Sequence, residues 1–253
     1  MAHAYAEPPF RVGRAFELAD AAYVIIVCSG PGVFAGDLLT QSVVVHQGAR
    51  VVLTSQSALQ IHPAPGPGPA TIHQHCCVHA GAELLCQWDP VIPFAGASLV
   101  QRADLRAHAG SRLFWGDALM SGRVSGGEAW RFNVLDHELR FSIGMALCYL
   151  ERYRVAPVER PVDRAWIAGE AHYFATALVH HERVSAAAGD ALQRELAAVS
   201  DVRAGVDVVE PGVLLTRLMG SRGNAFAAAR DRCRRFALST FFESPELAGR
   251  RSV

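Results

Sequence analysis

Short apolar runs separated by turns dominate the first 160 residues of the chain. Valine, isoleucine, leucine and aromatic residues cluster in these runs, and glycine, proline and polar residues interrupt them, which is typical of β-strands. Three segments share one design, an extended run, then His-x-Gly-Ala or His-x-Gly-Ser, then a second extended run: residues 43–56, 76–89 and 105–118. The pattern predicts a repeated β-structural unit.

Each repeat places a histidine before its turn, at His46, His79 and His108, and a glycine two residues later. Glycine there supplies the positive φ that a tight turn between two extended runs requires. The repeats are 33 and 29 residues apart, and the longer interval contains "PAPGPGPA" at 63–70, which predicts a surface loop. Because one such unit cannot bury its apolar face alone, we predict stacked β layers of antiparallel or solenoid type.

The apolar pattern changes in the last third of the chain. The predicted elements are strands within 127–155 and at 172–181, a helix at 185–199 capped by Ser185, strands at 202–209 and 213–220, and a helix at 221–242. We therefore predict a mainly β fold with two helices. A repeat-like β region (1–160) and an α+β region with the order β-α-β-β-α (161–253) form one structural unit.

Composition narrows the classes of function. The chain has 24 arginines, no lysine and 24 acidic residues, so its formal net charge is zero. A neutral chain lacks the basic surface that binds nucleic acid or an anionic membrane, and the absence of lysine excludes Schiff-base and P-loop chemistry. No signal-peptide pattern and no apolar run of about 18 residues occurs, which predicts a cytoplasmic protein. The six cysteines form no C-x-x-C pair and are expected to be reduced thiols.

Histidine and cysteine are concentrated in "TIHQHCCVHAGA" at 71–82. In a strand, alternate side chains share a face at intervals of roughly 6.6 Å, so His73, His75, Cys77 and His79 would form a surface site for nickel or zinc. The competing interpretation is a solvated strand face, in which His79 is simply the histidine before the turn. Stacked repeats would also allow a ladder of these histidines, although turn residues usually face solvent.

The segment "YVIIVCSGPGVFAG" at 23–36 imitates a dinucleotide-binding fingerprint, with Gly30, Gly32 and Gly36 after an apolar strand. It would make the chain an NAD-type oxidoreductase. However, a β-branched strand follows where a helix must place its N-terminus at the pyrophosphate. A turn at Pro31 between paired strands is the better interpretation. The motifs of serine hydrolases and zinc proteases are also missing, and no catalytic residues are predicted.

Several motifs in order resemble the UreD family of urease accessory proteins: "GPGVFAGDLL" (30–39), "GARVVLTSQSA" (48–58), "GAELLCQWDPVIPFAGASL" (81–99), "GR" at 122 with "GE" at 127, and "GVLLTRLMG" (212–220). The sequence differs from the family pattern at Ala35, Gln60 and His62. The resemblance covers residues 22–241 and implies a mostly β fold with two helices.

The same resemblance implies a non-enzymatic maturation chaperone. It would bind apo-urease and a UreF-type protein, which recruits a UreG-type GTPase, and nickel would pass through the assembly without being a permanent cofactor. By their positions in the matching motifs, Asp37, Thr54, Ser55 and Glu128 are expected to line the nickel path, although Asp37 could instead cap a turn. A metal-storing β module that uses the histidine-rich strand is a further alternative.

Overall fold

The computed structural model describes residues 3–63 and 68–242, together with Ser244 and Leu247. Within these residues 48% of the chain is strand and 14% helix. The strands are β1 (Phe10–Val12), β2 (Phe16–Leu18), β3 (Ala21–Cys28), β4 (Val33–Phe34), β5 (Leu38–Val45), β6 (Arg50–Ser55), β7 (Leu59–His62), β8 (Ala70–Val78), β9 (Glu83–Gln87), β10 (Val91–Pro93), β11 (Ser98–Ala107), β12 (Arg112–Met120), β13 (Val134–Ile143), β14 (Ala146–Val155), β15 (Tyr173–His180), β16 (Val202–Glu210) and β17 (Val213–Gly220). The helices are α1 (Ala186–Ala197) and α2 (Gly223–Thr240), with a short 3-10 turn at Val124–Gly126.

Four successive coils of a β-solenoid make up the first part of the chain. Each coil contributes one strand to a first layer (β3, β6, β9, β12) and one to a third layer (β5, β8, β11, β13), and neighbours within each layer pair in parallel. In chain order, the short strands β4, β7 and β10 come between the first-layer strand and the third-layer strand that follows it. They pair in parallel with one another and form a second layer. The predicted solenoid-type stacking of the repeats is therefore confirmed.

The three His-x-Gly turns stand one above the other at the corner between the third and first layers. Their glycines have positive φ, as predicted; at Gly81 the value is +69°. The strands on either side of each turn belong to different sheets and do not pair with each other, so these turns are not hairpins. Just beyond them, Glu83 forms ion pairs of 2.8 and 2.7 Å with Arg50 and Arg112 of the coils on either side.

The glycine-rich segment does not form the predicted turn between paired strands. β3, β4 and β5 follow one another around the first coil, and β4 pairs with β7 rather than with either of its neighbours in the chain. The turn at Pro31 therefore joins strands that do not pair with each other, because the solenoid pairs each strand with the next coil. The strand β5 stands where a dinucleotide site needs a helix, which removes the basis for the oxidoreductase alternative. The central part of the predicted loop, residues 64–67, lies outside the described residues.

The last third of the chain follows the predicted order β-α-β-β-α. The strand β15 pairs antiparallel with β12, and β17 and β16 extend the same sheet, so the sheet continues across the boundary at residue 160. The Ser185 hydroxyl caps α1 by accepting a hydrogen bond of 3.3 Å from the Ala188 amide. Both helices cover the outer face of this sheet, where Leu192 of α1 and Phe226 of α2 are buried.

The helices of the described part are too short or too polar to cross a membrane. All six cysteines are free thiols, of which Cys76, Cys86 and Cys233 are buried. Burial raises the pKa of Cys76 and Cys233 to about 12, so these thiols stay protonated and behave as small apolar side chains.

Candidate functional site

A mostly apolar cavity of about 300 Å³ lies at the last coil of the solenoid, where β11, β12 and β13 face β14, β15 and β17, and a few polar side chains meet in it. Asp117 on β12, Gln101 on β11 and His137 on β13 line it, each at an inward position of its strand. A smaller cavity of about 50 Å³ is also lined by Gln101 and Asp117. These two residues therefore stand at the junction of the two cavities.

Asp117 is the most strongly perturbed acid of this interior. Burial raises its pKa from 3.8 to about 6, and interactions with the Thr176 backbone, the Trp115 side chain and the charge of Arg230 oppose the rise. One carboxylate oxygen, Oδ2, has no hydrogen-bond partner among the described residues and lies 4.0 Å from His137 Nε2. Near neutral pH the carboxylate is thus ionised, with one oxygen free to accept a proton, a water or a cation.

His137 stays neutral beside this carboxylate. Burial lowers its pKa from 6.5 to about 4, although the nearby acids, Glu151 foremost, act in the opposite direction. The imidazole stacks on the Tyr153 ring with centroids 4.7 Å apart. A neutral imidazole next to an ionised carboxylate is a donor pair that suits a borderline cation such as nickel.

Arg230 supplies the positive charge that balances the interior acids. It lies on α2, and its guanidinium donates a hydrogen bond to the Trp88 carbonyl oxygen. Burial lowers the pKa of the guanidinium, and the charges of Asp89 and Asp117 raise it. An arginine remains protonated under all relevant conditions, so Arg230 offsets part of the cost of holding two carboxylates away from water.

The smaller cavity continues the polar lining toward the second coil. Ser55 at the end of β6 and Asp89 after β9 both line it. The Ser55 hydroxyl donates to Asp89 Oδ2 at 3.0 Å and accepts from the Asp89 amide at 2.8 Å. Burial raises the Asp89 pKa, whereas the Ser55 hydrogen bond lowers it. Oxygen ligands thus extend from Ser55 through Asp89 to Asp117.

The four residues expected to line a nickel path do not occupy one site. Ser55 lines the interior cavity described above, whereas its neighbour Thr54 lines a pocket on the helix-covered face of the same sheet. Successive residues of a strand face opposite sides, so the two hydroxyls cannot act together. Thr54 donates instead to the Gln87 carbonyl at 3.0 Å.

Asp37 and Glu128 lie in the first and fourth coils, at turns. Asp37 Oδ2 accepts a hydrogen bond of 2.9 Å from the Phe34 amide, which is the turn-capping role considered from the sequence. Glu128 pairs with Arg123 and accepts from the Ala95 amide at 3.3 Å. The hydrogen bond from Arg123 lowers the Glu128 pKa.

The sequence did not point to Asp117, Arg230, Asp89 or His137. A signal for Asp117 does exist, because an acid at the centre of "RLFWGDALM" interrupts an apolar strand. For Arg230 the signal is weak, since it belongs to "RDRCRR", where a solvated helix face is the ordinary interpretation. Only the packing of α2 on the sheet brings this arginine to the interior acids.

The histidine-rich strand is β8, and its alternation is as predicted. His73, His75 and Cys77 occupy outward positions, while Gln74 and Cys76 between them are buried. The rings of His73 and His75 stand nearly perpendicular, with centroids 6.3 Å apart. His79 lies beyond the end of the strand, in the turn.

The turn histidines form the ladder that the sequence disfavoured. His79 stacks on His108 with centroids 4.8 Å apart and on His46 with centroids 5.7 Å apart. The Cys77 thiol lies 3.7 Å from His108 Nε2. One candidate ligand atom each from Cys77, His79 and His108 lie within 4.8 Å of one another. The structure thus groups two of the predicted metal ligands with His108, and His73 and His75 are not part of this group.

Comparison with known proteins identifies relatives over most of the chain. The family model "UreD urease accessory protein" matches residues 1–251. Urease accessory proteins UreD from Trichodesmium erythraeum and Halalkalibacterium halodurans are 31% and 30% identical to this chain over 153 and 169 residues. These stretches cover 58% and 66% of this chain but 55% and 62% of the relatives, less than two thirds of their length. A third such protein, from Acetivibrio thermocellus, is 26% identical over 220 residues, which cover 86% of this chain and 83% of the relative.

Proposed function

The chain belongs to the UreD family of urease accessory proteins, and from this membership we propose that it is a non-enzymatic scaffold that helps to deliver nickel to urease. A role in urease maturation follows from the family itself. The observation that carries the proposal is the match of the family model to residues 1–251. The solenoid fold with two helices is in keeping with what the resemblance implied.

The proposed partners are apo-urease and a UreF-type accessory protein, which in turn recruits a UreG-type GTPase. All of them act in the cytoplasm. Nickel is cargo in this assembly rather than a resident cofactor.

We place the nickel path through the solenoid interior. Among mostly apolar residues, the two cavities present hydroxyl, carboxylate, amide and imidazole groups, from Ser55, Asp89, Gln101, Asp117 and His137. Such mixed oxygen and nitrogen ligands hold a borderline cation, and a path with several weak sites lets the ion move on. The free oxygen of Asp117 lies where the two cavities meet, which makes it the central ligand of the proposed path.

The partner proposal is tested by affinity capture of the tagged full chain from its native cytosol in reducing buffer, followed by mass spectrometry. We expect urease subunits to co-elute with UreF-type and UreG-type proteins. A folded protein that captures none of these would overturn the scaffold assignment.

The path proposal needs a separate measurement, the nickel content of urease matured in cells that express each variant. Asp117→Asn keeps the volume of the side chain and removes its charge, so we expect nickel per urease to fall severalfold while the complex with urease still forms. Asp37→Ala tests the path expected from the motif resemblance. If urease has a normal nickel content in cells with Asp117→Asn but a reduced content in cells with Asp37→Ala, the interior path is wrong. The nickel path would then run along the turns of the second layer.

A further inference from the structure

We propose that Cys77, His79 and His108 form a second, surface metal site for a zinc-class or nickel-class divalent ion, separate from the interior path. This inference does not rest on the proposed role in urease maturation. It replaces the ligand set expected from the sequence, because His108 of the next coil takes the place of His73 and His75. The geometry of the turns, the distances between the ligand atoms and the chemistry of the donors carry it.

The repeated turn explains why the ligands come together. The His79 amide donates to the Val45 carbonyl at 2.9 Å, and the His108 amide donates to the Val78 carbonyl at 2.9 Å, so each turn is tied to the coil below it. Equivalent side chains of successive coils therefore stand about 4.8 Å apart, the ordinary spacing of neighbouring strands. Cys77 reaches the same place from the outward face of β8.

The distances are close to those of a coordinated ion. A tetrahedral ion with bonds of about 2.3 Å to sulfur and about 2.05 Å to nitrogen holds the two ligand atoms about 3.6 Å apart. Cys77 Sγ and His108 Nε2 are already separated by 3.7 Å. The remaining separations of up to 4.8 Å close by rotation of side chains that are only partly buried or exposed.

The donor set selects the class of ion. One thiolate and two imidazoles favour zinc, nickel and copper over magnesium or calcium, which require oxygen ligands. Three protein ligands leave the fourth position open to water, or to His46, which stacks on the other side of His79. Arg106 is the register partner of Cys77 and pairs with Asp104 at 3.4 Å, so the neighbouring positive charge is partly balanced.

The histidine pair on the strand makes a poorer site. His73 and His75 present two imidazoles whose rings are nearly perpendicular and 6.3 Å apart. The compact ligand group found in the described part of the chain does not include them. They serve as matched controls, because they lie on the same face of the same strand as Cys77.

Binding is measured on the purified full chain by titration with zinc and, separately, with nickel. Both titrations use a reducing buffer that contains a competing chelator. We expect one equivalent to bind tightly, and Cys77→Ser or His108→Asn to weaken it at least about tenfold. His73→Asn and Cys148→Ser should bind as the unmodified chain does. Absence of stoichiometric binding, or equal losses from His73→Asn and His108→Asn, would overturn the proposal.

A second measurement uses the unmodified chain and therefore does not depend on how the variants fold. Cys28, Cys77 and Cys148 are the partly accessible thiols, so their alkylation rates can be followed together by mass spectrometry. Zinc should slow the alkylation of Cys77 alone, because coordination occupies its thiolate. Equal rates for Cys77 with and without zinc, under conditions where zinc binds, would place the ion elsewhere.

Cobalt(II) provides a spectroscopic check on the ligands. A cobalt–thiolate bond gives a near-ultraviolet charge-transfer band, which we expect in the unmodified chain and in Cys148→Ser but not in Cys77→Ser. A band that persists in Cys77→Ser would contradict the assignment of the sulfur ligand.

Discussion

The interior cluster around Asp117 and the ladder of turn histidines are two polar regions of one solenoid, yet they arise in opposite ways. The ladder repeats, since each coil places a histidine at the same point of the same turn. The interior does not repeat: β12, β11 and β13 supply Asp117, Gln101 and His137, and the distant helix α2 supplies Arg230. The sequence repeat therefore brings the outer histidines together, whereas tertiary packing brings the interior residues together.

This difference has an energetic consequence. The inner groups are withdrawn from water, so their charges are costly unless they are balanced, and their pKa values are displaced. The outer histidines remain in contact with water, and backbone hydrogen bonds hold the turns without them. We therefore expect changes in the interior to alter stability strongly and changes at the ladder to alter mainly binding.

The largest effect is expected for Arg230→Met, which removes the cation that balances Asp89 and Asp117. Leaving two buried carboxylates without it should lower the free energy of unfolding by about 3 kcal/mol at pH 8. The loss should shrink at pH 5, where Asp117 takes up a proton. Urea unfolding of Arg230→Met and of the unmodified chain at pH 8 and pH 5 measures the two losses in free energy of unfolding.

The matched control for that prediction is Arg235→Met on the same helix. Arg235 is exposed and pairs with Asp231 at 3.2 Å, one turn earlier. A surface pair of this kind contributes little, so the control should unfold close to the unmodified chain. Similar losses for Arg230→Met and Arg235→Met would mean that helix packing, rather than charge balance, is being measured.

A smaller effect, with a characteristic dependence on pH, is expected for Asp117→Asn. Because the folded-state pKa of Asp117 is raised from 3.8 to about 6, the unmodified chain loses stability as the pH rises through this range. The variant lacks that loss, so its stability relative to the unmodified chain should rise by roughly 2 kcal/mol between pH 4 and pH 7. The lowered pKa of His137 costs stability below about pH 6.5 in both proteins and largely cancels.

Glu128→Gln is the control for Asp117→Asn, because its stability relative to the unmodified chain should change with pH in the opposite direction. Arg123 lowers the Glu128 pKa, so this carboxylate stabilises the folded chain above its unfolded pKa, and that contribution disappears as the pH falls. The variant should therefore be the less stable protein at pH 7, and the difference should vanish toward acidic pH. If both variants changed in the same direction with pH, burial would not be what perturbs Asp117.

The same contrast explains which features could be predicted from the sequence. The turns at His46, His79 and His108 were predictable because glycine and periodicity are local signals, and α1 was predictable from its Ser185 cap and apolar spacing. The stacking of the turn histidines followed from stacked repeats but was disfavoured, because turn residues usually face solvent. The sequence does not show that each histidine ring packs on the ring of the next coil while it still contacts water.

The interior site could not be derived in this way. Asp117 and Arg230 lie far apart in sequence and in different elements, and their proximity depends on how α2 covers the sheet. Ser55 was expected on the path from a motif, and the structure places it beside Asp89. Thr54, Asp37 and Glu128 came from the same kind of motif but lie elsewhere, since a motif does not specify the direction of each side chain.

The smallest effect on stability is expected at the centre of the ladder, for His79→Ala. The turn keeps the positive φ of Gly81 and the backbone hydrogen bond of 3.0 Å from the Ala82 amide to the His79 carbonyl. The Arg50–Glu83–Arg112 ion pairs still join the coils next to it. Stacking between partly exposed rings is worth little, so the loss in unfolding free energy should stay below about 1 kcal/mol.

Urea unfolding of His79→Ala beside His73→Ala tests this, because His73 lies outside the ladder, on the outward face of β8. Both variants should unfold almost as the unmodified chain does, while only His79→Ala should lose the tight metal equivalent. If His79→Ala lowered the free energy of unfolding as much as Arg230→Met does, the ladder would instead contribute to the stability of the fold. If the ladder contributes little to the free energy of unfolding but is required for tight metal binding, it is a binding surface whose side chains are positioned by the repeated turns.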